Sequence, residues 1–582
     1  MTLIKRYGRS DIIIPALIGI SSFLNGGEHF AVKYLLPVVA ALFCLFEKER
    51  RADVPRMIVM GAALLFFART LAGGDLNTDT LYFLIFTALL LYITTLTPEK
   101  KLIVNGVILT ASVHAMVIIF SFGITGDFRQ ASTFVNANWA AVWLVAGLYF
   151  LLVHWSGKPP VIRGGAGLLL LAGIIITLSR TGFLLLFLLA FLLARRAGRK
   201  ARFLIAALLL AALLFLSVRV LRDLKDPLAF SRGRIYTAAA EMFSEKPLFG
   251  YGIAVVDDRL PGFSLGEERV YSNYSVSPKM AHSIYLESLL SFGIIGTLLL
   301  GAGIIPMLKK SALQAPFMLL LLAGLFNNIE KSFSLLLLGA LFLAVRKKES
   351  NETRHEVSFT GKRALIPVFA VTYLLILSVT AHFFFLRGDR AMKENRTFDS
   401  FRSFYRAYRI LPLDPYYAEW AVRSLLATDK VQWDVKLSLC EEILTQAVSR
   451  NNSSPGLVYL KGVYYNAILR SDHFQAFKPE VLKRALDDVG KAISLNPKKA
   501  DYYYLDMVLW SYTGHEAAMK EAFEKLTALE PYYLNAYLLM MEKTTDETLK
   551  RVCAEKAGEI RSLKPVQALN SYEREIMGRG QP

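Results

Sequence analysis

Long blocks of apolar residues follow one another through the first 345 residues, and they constrain the fold more than any other feature. A helix needs about 18 or more apolar residues to cross roughly 30 Å of hydrocarbon. The hydrophobic fraction of the 582-residue chain is 54%, which is above the range of soluble proteins. The sequence therefore predicts an all-α fold built around a polytopic membrane helix bundle.

The pattern predicts about 12–13 transmembrane helices. The spans are expected near residues 11–25, 31–46, 56–72, 80–96, 102–124, 139–155, 163–179, 181–195, 202–221, 286–308, 312–329, 332–346 and 364–386. Clusters of Lys and Arg occupy alternate loops, as in cytoplasmic loops. This alternation places the N-terminus in the cytoplasm and residues 387–582 outside. Because these clusters account for the net charge of +19, no nucleic-acid partner is expected.

Residues 163–195 are interpreted as two short helices that meet at Ser179–Gly182. A single long helix would reverse the side of every later loop. It would then place the basic cluster Arg195–Arg202 on the outer face, against the charge rule.

Two segments lie outside this scaffold. Residues 222–285 form a long polar outer loop, and loops of that length usually carry function. After a cytoplasmic linker at 346–363 and the additional transmembrane helix at 364–386, residues 387–570 are predicted to form a helical repeat domain. Pro497 and Pro531 are 34 residues apart, the tetratricopeptide (TPR) period, which predicts a TPR-like α-solenoid.

The three cysteines show no metal-ligand spacing, and no metal site is predicted. Cys440 and Cys553 pair only if the fold brings them together, which the sequence leaves open.

Four polar clusters are predicted at the outer ends of the helices, where ionisable groups are costly unless they are used. Arg180, in Ser-Arg-Thr-Gly, offers a planar fork of donors for a phosphate, or extends to lipid headgroups. Arg232 and Arg234, in Ser-Arg-Gly-Arg, form either an anion site or a solvated basic turn.

The other two clusters carry a histidine and two amides. His282 is either a proton acceptor near neutral pH or a structural residue. Arg129 lies in one outer loop with Asn136 and Asn138, whose amides either bind sugar hydroxyls or cap the next helix.

Together these clusters resemble the O-antigen ligase and O-antigen polymerase superfamily. The resemblance covers roughly residues 10–345. It is carried by Ser231 to Gly252, His282 to Gly296, Ser-Arg-Thr-Gly at 179–182 and Thr-Phe-Val-Asn-Ala-Asn at 133–138. It implies that residues 1–345 form a GT-C-like ligase domain in the inner membrane of a bacterium. The loop and the repeat domain would then be periplasmic.

The resemblance further implies a membrane glycosyltransferase that moves a glycan from undecaprenyl diphosphate to an acceptor hydroxyl. Arg180 and Arg232 would hold the diphosphate, and His282 would act on the acceptor or the phosphate. The substrate-binding residues would be Arg234, Arg129, Asn136, Asn138 and Tyr285. No cofactor is expected, and the transfer is predicted to be metal-independent, with arginines in the role of a metal.

Several alternatives remain open at this stage. The acceptor is the lipid A core, a growing polysaccharide or a protein hydroxyl, the last of these defining a protein O-oligosaccharyltransferase. The repeat domain would offer a concave surface to a protein partner. A polysaccharide transporter or flippase is the alternative from another class, and it would show ionisable residues at mid-membrane depth. His114 is such a residue, but it belongs to no set.

Overall fold

The computed structural model describes much of the chain. The described residues are 22, 51–52, 54–72, 83–84, 87, 90–91, 93–94, 99–128, 130–134, 136–155, 157, 159–194, 231–252, 256, 260–263, 281–327, 332–345, 357–358, 365–412, 414–450, 454–470 and 478–563. The predicted spans near 31–46 and 202–221, the span near 11–25 apart from Ser22, and Arg129 lie outside these residues.

The described residues are helical almost throughout, which confirms the all-α prediction. The helices of the first two thirds are α1 Val54–Ala72, α2 Lys100–Thr125, α3 Ala137–His154, α4 Pro160–Ile176, α5 Arg180–Ala194, α6 Ser231–Glu245, α7 Ile284–Lys310, α8 Gln314–Gly324, α9 Phe333–Ala344 and α10 Leu365–Lys393. Two strands of two residues each, β1 Arg51–Ala52 and β2 Val357–Ser358, pair antiparallel.

The remaining helices follow at short intervals. They are α11 Thr397–Ile410, α12 Pro415–Ala427, α13 Trp433–Arg450, α14 Pro455–Arg470, α15 Lys478–Leu495, α16 Ala500–Ser511, α17 Glu516–Leu529, α18 Leu534–Lys543 and α19 Glu547–Leu563.

The chain divides into two compact units. The bundle unit comprises residues 1–67, 81–225 and 282–382, and the repeat unit comprises residues 68–80, 226–281 and 383–582. The long loop therefore belongs to the same unit as the C-terminal repeats.

The bundle unit is built from apolar helices. Within the described residues, α2, α3 and α7 are long and apolar enough to cross a membrane. Helices α2, α3 and α4 pack against one another around buried side chains such as Trp143 and Ile108. Gly147 allows α3 to approach Ala111 of α2 closely, as small residues do between membrane helices.

Segments that the charge rule places on one side of the membrane are adjacent in the bundle unit. The β1–β2 pair joins the basic segment after residue 48 to the predicted linker at 346–363. The Ala312 amide donates to the Val345 carbonyl at 2.6 Å. These contacts agree with the predicted sidedness, which stays a prediction.

The described part of the bundle unit contains a break between two helices and a kink within a third. The predicted break within residues 163–195 is present, since α4 ends at Ile176 and α5 begins at Arg180. Helix α7 is kinked at Gly293, whose φ is 65° and whose ψ is −171°. That backbone conformation suits glycine, which has no Cβ to clash.

Helices α11–α19 form a TPR-like α-solenoid. Each packs against the next, and α12 contacts α14, α14 contacts α16, and α16 contacts α18, the nearest-neighbour pattern of a solenoid. Pro497 lies in the turn before α16 and Pro531 in the turn before α18. A similar motif, Leu-Asp-Pro-Tyr-Tyr, lies at 413–417, and helices α12–α14 lie in the interval that begins there, where the repeat motif is too degenerate to recognise. Cys440 and Cys553 are both buried and free.

Candidate active site

The Ser-Arg-Thr-Gly segment is held by hydrogen bonds on both sides of Arg180. The Ser179 hydroxyl donates to Asn138 Oδ1 at 2.8 Å and accepts the Gly182 amide at 3.0 Å. On the other side, Asn327 Nδ2 donates to Thr181 Oγ1 at 2.7 Å. Arg180, which is half-buried, therefore begins α5 between two residues that are each tied to another part of the bundle.

Gly182 allows α5 to touch α3 at this position. A Cβ atom built on Gly182 would lie 2.6 Å from the Cβ of Ala141, closer than two side-chain carbons approach. The small residue thus brings the first turn of α5 against the first turns of α3, where Asn138 lies.

The segment from 130 to 138 is tied to the same helices. Asn136 is the N-cap of α3, because its side chain accepts the Asn138 amide at 2.9 Å. Ser132 Oγ lies 3.0 Å from Nδ1 of His114 on α2. Of the two roles left open for the amides, Asn136 performs capping and Asn138 binds Ser179. Arg129 is outside the described residues.

His282 immediately precedes the N-cap of α7, Ser283, and is half-buried. Three residues on, the Tyr285 hydroxyl donates to the Leu321 carbonyl of α8 at 3.1 Å. Helix α8 also packs against α3 and α5, and Asn327, just after it, reaches Thr181. Hydrogen bonds and packing therefore connect the clusters around Asn138, Arg180 and His282 within the bundle unit.

Left-handed backbone marks these same segments. Among the described residues, the non-glycine residues with positive φ are Ser132 (55°), Leu178 (50°), His282 (53°) and Asn395 (57°). The first three belong to, or directly precede, the three clusters just described. Such residues cost of order 1–3 kcal/mol each and persist where the surroundings hold them, often at functional sites.

Arg232 and Arg234 lie in the first turn of α6, which belongs to the repeat unit. The helix forms because its apolar residues recur at helical spacing. Its buried residues are Ile235, Ala238, Ala239 and Met242. This face also packs α6 against the short 3-10 helix Leu260–Phe263. The described part of the loop therefore contains a folded element whose first turn includes the two arginines.

A metal centre is not apparent in the described part of the chain, where no group of three or more His, Cys, Asp and Glu residues is placed to hold an ion.

Comparison with known families identifies part of this region. Residues 165–301 match the family model described as O-antigen ligase. Residues 165–301 of this chain are therefore similar to O-antigen ligases. This match confirms the resemblance drawn from the motifs, and together with the apolar helices α2, α3 and α7 it supports a membrane function of the O-antigen ligase or polymerase type. The matched segment contains Arg180, Arg232, Arg234, His282 and Tyr285, whereas the segment 129–138 precedes it.

Two solved structures are similar to part of the chain. The MamA protein is 18% identical over 32% of this chain and 91% of its own, with a TM-score of 0.24. A thermophilic TPR protein from Thermus thermophilus is 18% identical over 30% of this chain and 98% of its own, with a TM-score of 0.23. Comparison with curated proteins finds no match.

The sequence interpretation missed the contact of Asn327 with Thr181 and the left-handed backbone of Leu178. Asn327 interrupts the apolar block predicted at 312–329, and a buried amide in such a block is a usable signal because it needs a partner. The left-handed conformation of Leu178 has no sequence signal, since bulky residues rarely adopt it.

Proposed function

We propose that this protein is a membrane glycosyltransferase that moves a glycan from undecaprenyl diphosphate to an acceptor hydroxyl on the periplasmic face of the inner membrane. The observation that carries the proposal is the O-antigen ligase match at 165–301, which contains Arg180, Arg232 and His282. The hydrogen bonds that hold the Arg180 segment support it further.

The chemistry follows from the leaving group. The acceptor oxygen attacks the anomeric carbon of the glycan, and the bond from that carbon to the phosphate oxygen breaks. The electron pair of that bond stays on the diphosphate. Fixed guanidinium groups that bind this growing negative charge more tightly than the ground state lower the barrier. Arg180 and Arg232 supply these donors, and the activated diphosphate makes a nucleotide unnecessary.

His282 takes the proton that the acceptor hydroxyl loses. The left-handed backbone at His282 supports this role, because the fold maintains an unfavourable conformation at that position. Arg234, Arg129, Asn138 and Tyr285 contribute to substrate binding around these groups, and Asn136 supports them by capping α3.

A protein O-oligosaccharyltransferase is the second candidate. It is favoured by the solenoid of α11–α19, because stacked helix pairs form concave surfaces that bind protein partners. The two candidates share the donor and the arginines and differ in the acceptor.

Transfer in vitro tests the proposal. Purified full-length protein is incubated with an undecaprenyl-diphosphate-linked glycan and, separately, with lipid A core, a second lipid-linked glycan or a protein acceptor. Nucleotide is omitted and chelator is present. Carrier release with a glycosylated product supports the proposal, and the acceptor that works identifies the type of enzyme. Folded protein that binds the carrier lipid but transfers to none of these acceptors would favour a transporter.

The role of His282 is tested by His282→Asn and His282→Gln. Asparagine tolerates the left-handed conformation well, so His282→Asn removes the base while keeping the backbone. General acid–base catalysis contributes about 10²–10⁴-fold, and we expect a loss of that order in both variants. His154→Gln is the matched control, because His154 lies at the C-terminal end of α3, opposite the end that carries Asn138. Full activity of His282→Asn at normal membrane levels excludes a direct role.

A further inference from the structure

In the part of the loop that the structure describes, the helix that carries Arg232 and Arg234 contacts the solenoid through Lys498. Lys498 lies in the turn between α15 and α16, and its Nζ donates to Glu241 Oε1 of α6 at 2.7 Å. The same nitrogen is 3.5 Å from Glu245 Oε1, one helical turn further on. It also lies 3.8 Å from the ring centroid of Phe263, in the 3-10 helix of the loop.

This contact joins three separate segments within the repeat unit. The side chain of Lys498 is 29% exposed and packs on the buried ring of Phe263, whereas the side chains of Glu241 and Glu245 are 55% and 46% exposed. The ion pair is therefore partly solvated and contributes at most about 1 kcal/mol. Glu245 in addition accepts the Tyr251 hydroxyl at 2.6 Å, which ties the end of α6 to the residues after it. The last turns of α6 are therefore fixed relative to α15 and α16.

Because a helix is a rigid element, a contact that fixes its last turns also restricts the position of its first turn. Arg234 precedes Glu241 by seven residues and Arg232 by nine, which is about 10–14 Å at 1.5 Å per residue. The buried face from Ile235 to Met242 runs along this length and keeps the intervening turns packed.

We propose that Lys498 is a positioning residue, through which the C-terminal repeats hold α6 so that Arg232 and Arg234 meet the diphosphate of the donor. This inference rests on the proposed function. It makes the solenoid part of the donor site, acting through the loop helix, in addition to any partner that the solenoid binds.

A charge-reversal cycle in the full-length protein tests it. Lys498→Glu places a third carboxylate beside Glu241 and Glu245, and we expect kcat/KM for the lipid-linked donor to fall about fivefold, the change that 1 kcal/mol of coupling gives. Glu241→Lys alone should have a similar effect. The double variant Lys498→Glu/Glu241→Lys should return to within about twofold of the wild type.

Two controls isolate the contact. Lys525→Glu breaks a lysine–glutamate pair of the same kind, with Glu521, within α17, and it should leave kcat/KM unchanged. Lys498→Arg keeps the positive charge and should retain activity. Failure of the double variant to recover, or an equal loss in Lys525→Glu, overturns the positioning role.

Chemical cross-linking detects the contact between Lys498 and Glu241 independently of any activity assay. A carbodiimide couples a lysine amine directly to a carboxylate in contact with it, so Lys498 and Glu241 should form an amide detectable by mass spectrometry. Lys498→Arg should abolish this product while remaining active. A cross-link in wild-type protein that performs no transfer would contradict the proposed function alone. Active protein without the cross-link, or with unaffected Lys498→Glu, would contradict the positioning role alone.

Discussion

Replacing Ser179 by alanine tests the arrangement around Arg180 most directly. The side chain is almost fully buried, and its single oxygen serves both Asn138 and the Gly182 amide. Loss of a serine that caps a helix costs about 1 kcal/mol. A buried acceptor left without its donor costs about 1–3 kcal/mol, and since Asn138 is half-buried the lower end applies. We therefore expect a local destabilisation of about 2 kcal/mol.

Hydrogen–deuterium exchange of the purified protein measures this effect where it arises. A loss of 2 kcal/mol corresponds to about 30-fold faster exchange of the amides in the peptide around residues 177–183. Transfer activity should fall in parallel, because Arg180 begins the helix that the serine caps.

A double variant separates this contact from a general loss of packing. If Ser179 and Asn138 act as a pair, Ser179→Ala/Asn138→Ala should be little worse than the more damaging single variant. Ser112→Ala is the matched control, because its hydroxyl bonds only the Ile108 carbonyl of its own helix among the hydrogen bonds described for it. Unchanged exchange at 177–183, or costs that simply add in the double variant, would refute the reasoning.

Two further variants test packing and charge. Gly182→Ala sets a methyl group against Ala141 and should lower the free energy of unfolding by about 1–3 kcal/mol, measured by thermal unfolding. The double variant Gly182→Ala/Ala141→Gly should recover most of this loss. Equal melting temperatures of the single and double variants would contradict the contact. Burial raises the pKa of Asp506 from 3.8 to about 6, so its contribution to stability is complete below about pH 4 and is lost as the pH rises through 6. As the pH rises from 4 to 7, the free energy of unfolding of Asp506→Asn should therefore increase relative to that of the wild type by up to about 3 kcal/mol. A difference between the two proteins that stays constant across this range would exclude a raised pKa of Asp506.

The fold was largely accessible from the sequence because its strongest signals are local. Apolar blocks predicted α2, α3 and α7 to within two residues at each end, since a membrane helix is specified by its own composition. The 34-residue spacing of Pro497 and Pro531 predicted the last repeats. Helices α12–α14 were harder, because solenoid helices pack on their neighbours whether or not the motif is retained.

The site was less accessible, because its organisation depends on contacts between distant residues. The motifs predict Arg180 and His282 as site residues, and the O-antigen ligase match contains both positions. Periodicity did not indicate that Asn327 reaches Thr181 across 146 residues of sequence, or that Lys498 meets Glu241 across 257. Such pairs arise from tertiary packing, and a single sequence carries no record of them.

The kink in α7 bears on how deep the His282 segment lies. A straight helix of 27 residues would be about 40 Å long, which exceeds a hydrocarbon layer of about 30 Å. The break at Gly293 leaves 17 residues, 294–310, on its far side, a length of about 25 Å. That stretch comes close to crossing the hydrocarbon by itself. The nine residues from Ile284 to Phe292 are then not needed to span the hydrocarbon, and because Glu287, Leu290 and Phe292 are buried, this stretch stays packed against the rest of the protein.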